Sequence, residues 1–189
     1  MKLGWLLPAV AAFALAGCAG APKVDTRDET VSLVYGYFDM KHAPSSLEWV
    51  SLRKYGTPKE GEWYSLAAKD GLFFHIGVEP GSYQVDKFGG TGGIPLLTRR
   101  PFEYDFGGKG RNRTALRIAK PGLYFLGTYR YVNHAGKGLL EADKFEMQPS
   151  KSPGEKDVLQ RLVKELESDK SLSAYTRQLQ LAKKRLAEL

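Results

Sequence analysis

The chain has 189 residues, a formal net charge of +7 at pH 7, 42% hydrophobic and 26% charged residues, and one cysteine. A single cysteine excludes an internal disulfide and a thiolate metal cluster. An aromatic content of 12% excludes a wholly disordered chain, and the length suits one folded domain with accessory segments.

The first segment, residues 1–17, carries one cation, Lys2, followed by an apolar run that closes on small residues. This is the layout of a secretory signal peptide. The run spans about 15 residues, short of the roughly 20 that cross a bilayer as a helix. No later segment approaches that length without charges, so the expectation is a chain that is anchored rather than spanning. Leu15-Ala16-Gly17-Cys18 resembles a bacterial lipobox. The resemblance implies a cut before Cys18, a diacylglycerol on its thiol and usually a third acyl chain on the new amino terminus. Stable anchoring takes two or more such signals. Ala19, where an aspartate would retain a lipoprotein in the inner membrane, implies the outer membrane of a Gram-negative host. Ala14-Leu15-Ala16 also fits an ordinary secretory cut, which stands as the alternative.

Residues 18–29 are small and polar, with no apolar period, and read as a tether. Eleven flexible residues after Cys18 have an r.m.s. reach of roughly 18 Å and an extended limit near 36 Å. That length keeps the folded part close to the membrane yet free to reorient.

Residues 30–149 are rich in aromatic and β-branched residues cut by Gly and Pro. Strands are expected at 31–38, 47–52, 62–66, 72–78, 83–88, 102–106, 115–119 and 123–132. Short strands at this spacing predict a mainly β chain, a single antiparallel β-sandwich of seven or eight strands. One local pattern occurs twice. Glu79-Pro80-Gly81-Ser82-Tyr83 aligns with Lys120-Pro121-Gly122-Leu123-Tyr124, each between an apolar strand and a Tyr-led strand. Pro followed by Gly suits a type II turn, with Gly at positive φ. The repeated P-G-x-Y corner resembles transthyretin-like, carboxypeptidase-regulatory-like and PEGA-type sandwich domains, over two short motifs only. That resemblance implies a scaffold or binding module without chemistry of its own.

Residues 150–189 change character. Ser152-Pro153-Gly154-Glu155 predicts a helix start, with Ser152 as N-cap and Glu155 three residues on. Val158, Leu159, Leu162, Val163 and Leu166 form one apolar stripe; Leu172, Tyr175, Leu179, Ala182 and Leu186 form another. At about 100° per residue the two stripes face different ways, so the tail reads as two helices or one kinked pair. One stripe is expected to cover the sandwich. The second, through Leu172, Tyr175, Leu179 and Leu186, is the candidate partner-binding helix.

Catalytic chemistry finds little support. His42, His75 and His134 have no partner at ligand spacing, no metal site is expected, and neither G-x-S-x-G nor another nucleophile motif occurs. A hydrolase would need a pocket converging on His75 or His134 with a nearby acid. Gly89-Gly90-Thr91-Gly92-Gly93 lacks the Gly-Lys-Ser/Thr ending of a phosphate loop and reads as a mobile or bulged loop. The stretch 98–120 holds seven cations against Glu103 and Asp105. Within it Arg99, Arg100, Lys109, Arg111 and Arg113 are candidates for gripping an anionic ligand, since arginine matches phosphate and carboxylate geometry.

The sequence therefore predicts an outer-membrane lipoprotein facing the periplasm: a non-enzymatic accessory, scaffolding or assembly component. Its partners would be the membrane, through the anchor, and an envelope protein; no cofactor and no nucleic acid are expected. The alternative is a module binding an anionic glycan or lipid, such as lipopolysaccharide or peptidoglycan, through 98–120.

Overall fold

The computed structural model describes residues 30–55, 63–93, 100–106, 115–134, 144–172 and 175–189. Among them nine strands run in chain order: β1 (Ser32–Asp39), β2 (Trp49–Tyr55), β3 (Trp63–Lys69), β4 (Leu72–Val78), β5 (Gly81–Gly92), β6 (Arg100–Asp105), β7 (Leu116–Ile118), β8 (Leu123–His134) and β9 (Lys144–Ser150). Helices α1 (Glu155–Ser168) and α2 (Thr176–Glu188) follow, joined through a 3-10 turn at Lys170–Leu172.

The chain is mainly β, as its composition predicts. All nine strands belong to one sheet, ordered β6-β5-β2-β3-β4-β1-β8-β9, with β7 paired to the start of β5. Its pairs are antiparallel except β1 with β8, which run parallel from Leu33 opposite Leu123. The sheet curls until its two ends face each other. Tyr104 of β6 meets Phe145 of β9 at 5.0 Å between ring centroids, and Phe106 meets Tyr129 of β8 at 5.1 Å. Aromatic rings thus bring the ends together, so the sheet acts as a half-barrel whose facing walls enclose one core. Val34, Phe38, Val50, Leu52, Leu66, Phe73, Val85 and Phe88 fill that core and are fully buried.

A second core lies outside the sheet. Leu33 and Tyr35 point out from β1 while Val34 and Phe38 point in, because successive strand side chains take opposite faces. Leu72 and Ile76 of β4 join them. Over these sit Val158, Leu159, Leu162, Val163 and Leu166, the first apolar stripe of the tail. The break in stripe phase does mark two separate helices. The helix start differs from expectation: Gly154, not Ser152, is the N-cap, and Asp157 Oδ2 accepts its N–H at 3.1 Å. Glu155 and Asp157 place two carboxylates in the first turn, where the helix dipole favours them.

Both P-G-x-Y corners fold alike. Tyr83 Oη donates to the Glu79 carbonyl at 2.8 Å, and Tyr124 Oη donates to the Lys120 carbonyl at 2.6 Å. Neither Gly81 nor Gly122 has a positive φ, so the expected type II geometry is absent. The first corner favours glycine for another reason: the Tyr83 ring folds back over Gly81. A Cβ on Gly81 would lie 3.1 Å from the Tyr83 ring.

The glycine run at 89–93 is not a free loop. Gly89, Gly90 and Gly92 lie within β5, and segment 44–48 crosses directly over them. A Cβ on Gly90 would collide with the Ser46 carbonyl oxygen. The crossing is fixed by Glu48 N–H to the Gly89 carbonyl at 2.9 Å, Ser46 N–H to the Thr91 carbonyl at 3.1 Å, and a hydroxyl–carboxylate bond from Thr91 to Glu48.

Candidate functional site

Three regions carry the groups that could act on a partner or ligand: the basic stretch, the helical tail, and the rim where the chain enters the sheet.

The three described cations of the basic stretch, Arg100, Arg117 and Lys120, do not form one patch. Arg100 begins β6 opposite Gly92, at the end of β5, whereas Arg117 in β7 sits opposite Ser82, at its start. The ten residue steps of β5 from Ser82 to Gly92 span about 33 Å at the usual strand rise. Arg100 therefore sits at one end of β5, and Arg117 and Lys120 at the other. Arg100, Arg117 and Lys120 are exposed. Cys18, Arg99, Lys109, Arg111 and Arg113 lie outside the described residues.

The tail turns inward. Leu172, Tyr175, Leu179 and Leu186 are half-buried against the outer core, and Ala182 is fully buried within it. The stripe expected to seek a partner is covered by the chain's own sheet and α1. A polar lock reinforces this seat. Arg185 holds the Glu155 carboxylate through two N–H donors at 3.0 and 3.1 Å, and Tyr35 Oη donates to the same carboxylate at 3.2 Å. Burial first, and the carboxylate second, push the Tyr35 phenol far above its ordinary value, so it remains a donor. One strand and both helices thus share one carboxylate.

Beside the helix connection lies an open cleft of about 480 Å³, lined by Ala67, Lys69, Phe74, His75, Glu165 and Tyr175 among others. It does bring an imidazole near acids, but each group is engaged. Lys69 Nζ is ion-paired with Glu165 at 2.9 Å, and the Asp169 carboxylate accepts Ser171 N–H and Oγ. The His75 ring packs against Tyr64 at 5.3 Å and hydrogen-bonds the Ser65 backbone. Burial lowers its pKa and keeps it neutral near pH 7. Among the described residues no three His, Cys, Asp or Glu side chains cluster in a way that could hold a metal ion.

The third region is one end of the half-barrel. Register places Arg53 opposite Trp63, Tyr55 opposite Ser82, Ser82 opposite Arg117, and Val78 opposite Ser32. The ends of β2 and β7, the starts of β1, β3, β5 and β8, and both P-G-x-Y corners therefore share this rim. Residue 30, which joins residues 1–29 to β1, is here too. Tyr55 and Trp63 are 40% and 46% exposed, and Leu189 is the one other large hydrophobic so exposed among the described residues. The Arg53 guanidinium lies 5.5 Å from the Trp63 ring centre, and Lys54 pairs with Glu79 at 3.6 Å. The sequence singles out neither residue: Trp63 falls in the strand expected at 62–66, and Tyr55 lies beyond the one expected at 47–52. Their signal is positional: two aromatics flanking the Gly-, Pro- and charge-rich segment 56–62 at a hairpin tip.

No family model, curated protein or solved structure matches this chain. No helix among the described residues is long and apolar enough to cross a membrane.

Proposed function

We propose that the protein is a lipid-anchored envelope lipoprotein, acylated on Cys18, held in the outer membrane on its periplasmic face, and acting as a non-enzymatic scaffolding or assembly component. The observation that carries this reading is Leu15-Ala16-Gly17-Cys18 at the close of a single apolar run too short to span a bilayer. Two features of the folded part support it. Lys69, His75, Glu165 and Asp169 of the cleft are tied up in structural contacts, and the P-G-x-Y corners recur at one rim as they would in a scaffold module. A partner would be an envelope protein bound by a surface other than the tail stripe, which is occupied.

The test is the mass of the amino-terminal peptide from envelope-extracted protein, together with fractionation of a Cys18→Ser chain. A diacylglyceryl or triacylated Cys18 and an unprocessed Cys18→Ser chain support the reading. An unmodified amino terminus at Cys18 or Ala19, or a chain cut after Ala16, overturns it.

A further inference from the structure

We propose that the rim carrying Tyr55, Trp63, Arg53, Arg117 and Lys120 is a bilayer-facing surface that sets the half-barrel down on anionic lipid headgroups. This rests on the anchored reading above. Three independent features converge on that rim. Residues 1–29, with their apolar run and Cys18, attach there at the start of β1. Two of the three most exposed large hydrophobics among the described residues stand there, and both are of the aromatic types that sit at headgroup depth. Described charge at the rim comprises four cations, Arg53, Lys54, Arg117 and Lys120, against Glu79 alone, which Lys54 already pairs. Trp63 with the Arg53 guanidinium against its ring makes a compact amphipathic unit: ring towards the acyl boundary, cation towards phosphate.

Affinity need not be high. Residues 18–29, taken as the tether their composition predicts, would hold the rim at an effective concentration in the millimolar range or above. Contacts too weak to bind a free domain then suffice to orient an attached one. Rather than reorienting freely, the half-barrel rests rim down, and Arg100 at the opposite end of β5 faces away from the membrane.

The full lipidated chain is reconstituted in vesicles of phosphatidylcholine, with or without phosphatidylglycerol, whose acyl tails are brominated quenchers. The emission of wild type minus that of Trp63→Phe isolates Trp63. This difference signal is expected to be quenched when phosphatidylglycerol is present and to recover in high salt. Replacing Arg53, Arg117 and Lys120 by Gln should lower the equilibrium constant for the rim-down state about 100-fold, from about fivefold per cation at an anionic surface. The protein should still pellet with the vesicles. A Trp63 signal blind to brominated lipid while the chain pellets overturns the proposal. So does a Tyr55→Ser/Trp63→Ser chain that loses self-association but not lipid contact, which would assign the rim to a second copy. Absence of an acyl group on Cys18 in the same preparation would defeat the anchored reading instead. The rim is then read by pelleting with phosphatidylglycerol vesicles alone.

Discussion

Inside the curled sheet a cluster of stacked and edge-on rings is set among aliphatic side chains, whereas outside it, under the helices, the buried side chains are nearly all aliphatic. Phe38 alone meets Phe73, Phe88, Phe106 and Tyr129 at centroid distances of 4.6 to 5.9 Å. The outer core is built from Val158, Leu159, Leu162, Val163 and Leu166 against Leu33 and Tyr35, with one polar lock at Glu155. Geometry explains the difference. A half-barrel whose ends are not joined by backbone pairing among the described residues needs long, flat side chains to reach across. A helix laid on a sheet needs only short branched ones. β1 belongs to both cores and is buried on both faces, which argues that they fold as one unit.

The largest effects come from cutting into either core. Phe38→Ala is expected to cost about 4 kcal/mol, and Leu162→Ala, fully buried in α1, about 3 kcal/mol. For a chain of this size those losses lower Tm by roughly 10 °C each. Because β1 is shared, each variant should show one transition, with the 222 nm helical signal and the near-ultraviolet aromatic signal falling together. A Leu162→Ala chain whose helical signal vanishes first would break the equivalence and make the helical layer a separate unit.

How far the sequence reveals these two cores depends on whether the signal is local. The P-G-x-Y pattern was legible as a turn between strands because Pro-Gly is a local signal, but its type was not: neither glycine has a positive φ, and a tyrosine hydroxyl closes each corner on a carbonyl four residues back. Both tail stripes were legible as helices, and the first as a cover for the sheet, but the inward seat of the second was not. Tyr35 and Glu155 are 120 residues apart, and no local pattern joins them. β9 escaped because Lys-Phe-Glu-Met-Gln-Pro-Ser carries Pro149 and only two inward apolar residues, Phe145 and Met147; it is an edge strand, where proline is tolerated. The parallel β1–β8 pair was likewise invisible, since nothing local favours parallel over antiparallel pairing. Charge counted along the chain also does not say that Arg100 and Arg117 pair with opposite ends of β5.

A finer contrast separates the two corners, one with its tyrosine fully buried in the inner core and one with its tyrosine half-buried against it. Tyr83 is 1% exposed, and a Cβ on Gly81 would press on its ring at 3.1 Å and on Lys54 Cε at 3.2 Å. Lys54 can move aside; the hydrogen-bonded, buried ring cannot. At Gly122 the same Cβ would lie 3.5 Å from the Tyr124 ring, an ordinary contact. Gly81→Ala is therefore expected to destabilise by about 1 kcal/mol. Gly122→Ala should stabilise by about 0.5 kcal/mol, because alanine restricts the unfolded chain at a φ it can adopt. Urea denaturation of both variants measures the sign directly, and equal shifts would refute the distinction between the corners.

The smallest effect lies at His75, on β4 where the inner core gives way to the cleft beneath the helices. Burial holds its folded pKa below the ordinary imidazole value of about 6.5, whereas in the unfolded chain it titrates normally. As pH falls through that value the unfolded state takes up a proton that the folded state refuses. Stability must then fall with pH, by the linkage between proton uptake and folding. The loss vanishes above neutral pH and levels off only once the pH passes below the folded value. Carboxylates such as Asp169, whose pKa is lowered chiefly by the Ser171 hydroxyl, act in the same direction but only near pH 4 and below. The window between about pH 6.5 and 5 thus isolates imidazole titration. His75→Gln keeps a donor for the Ser65 backbone and cannot be protonated. Its Tm is expected to depend less on pH in that window than that of the wild type, while matching it more closely below pH 4. Identical slopes between pH 6.5 and 5 would mean that the ring is hydrated and belongs to the cleft rather than to the core.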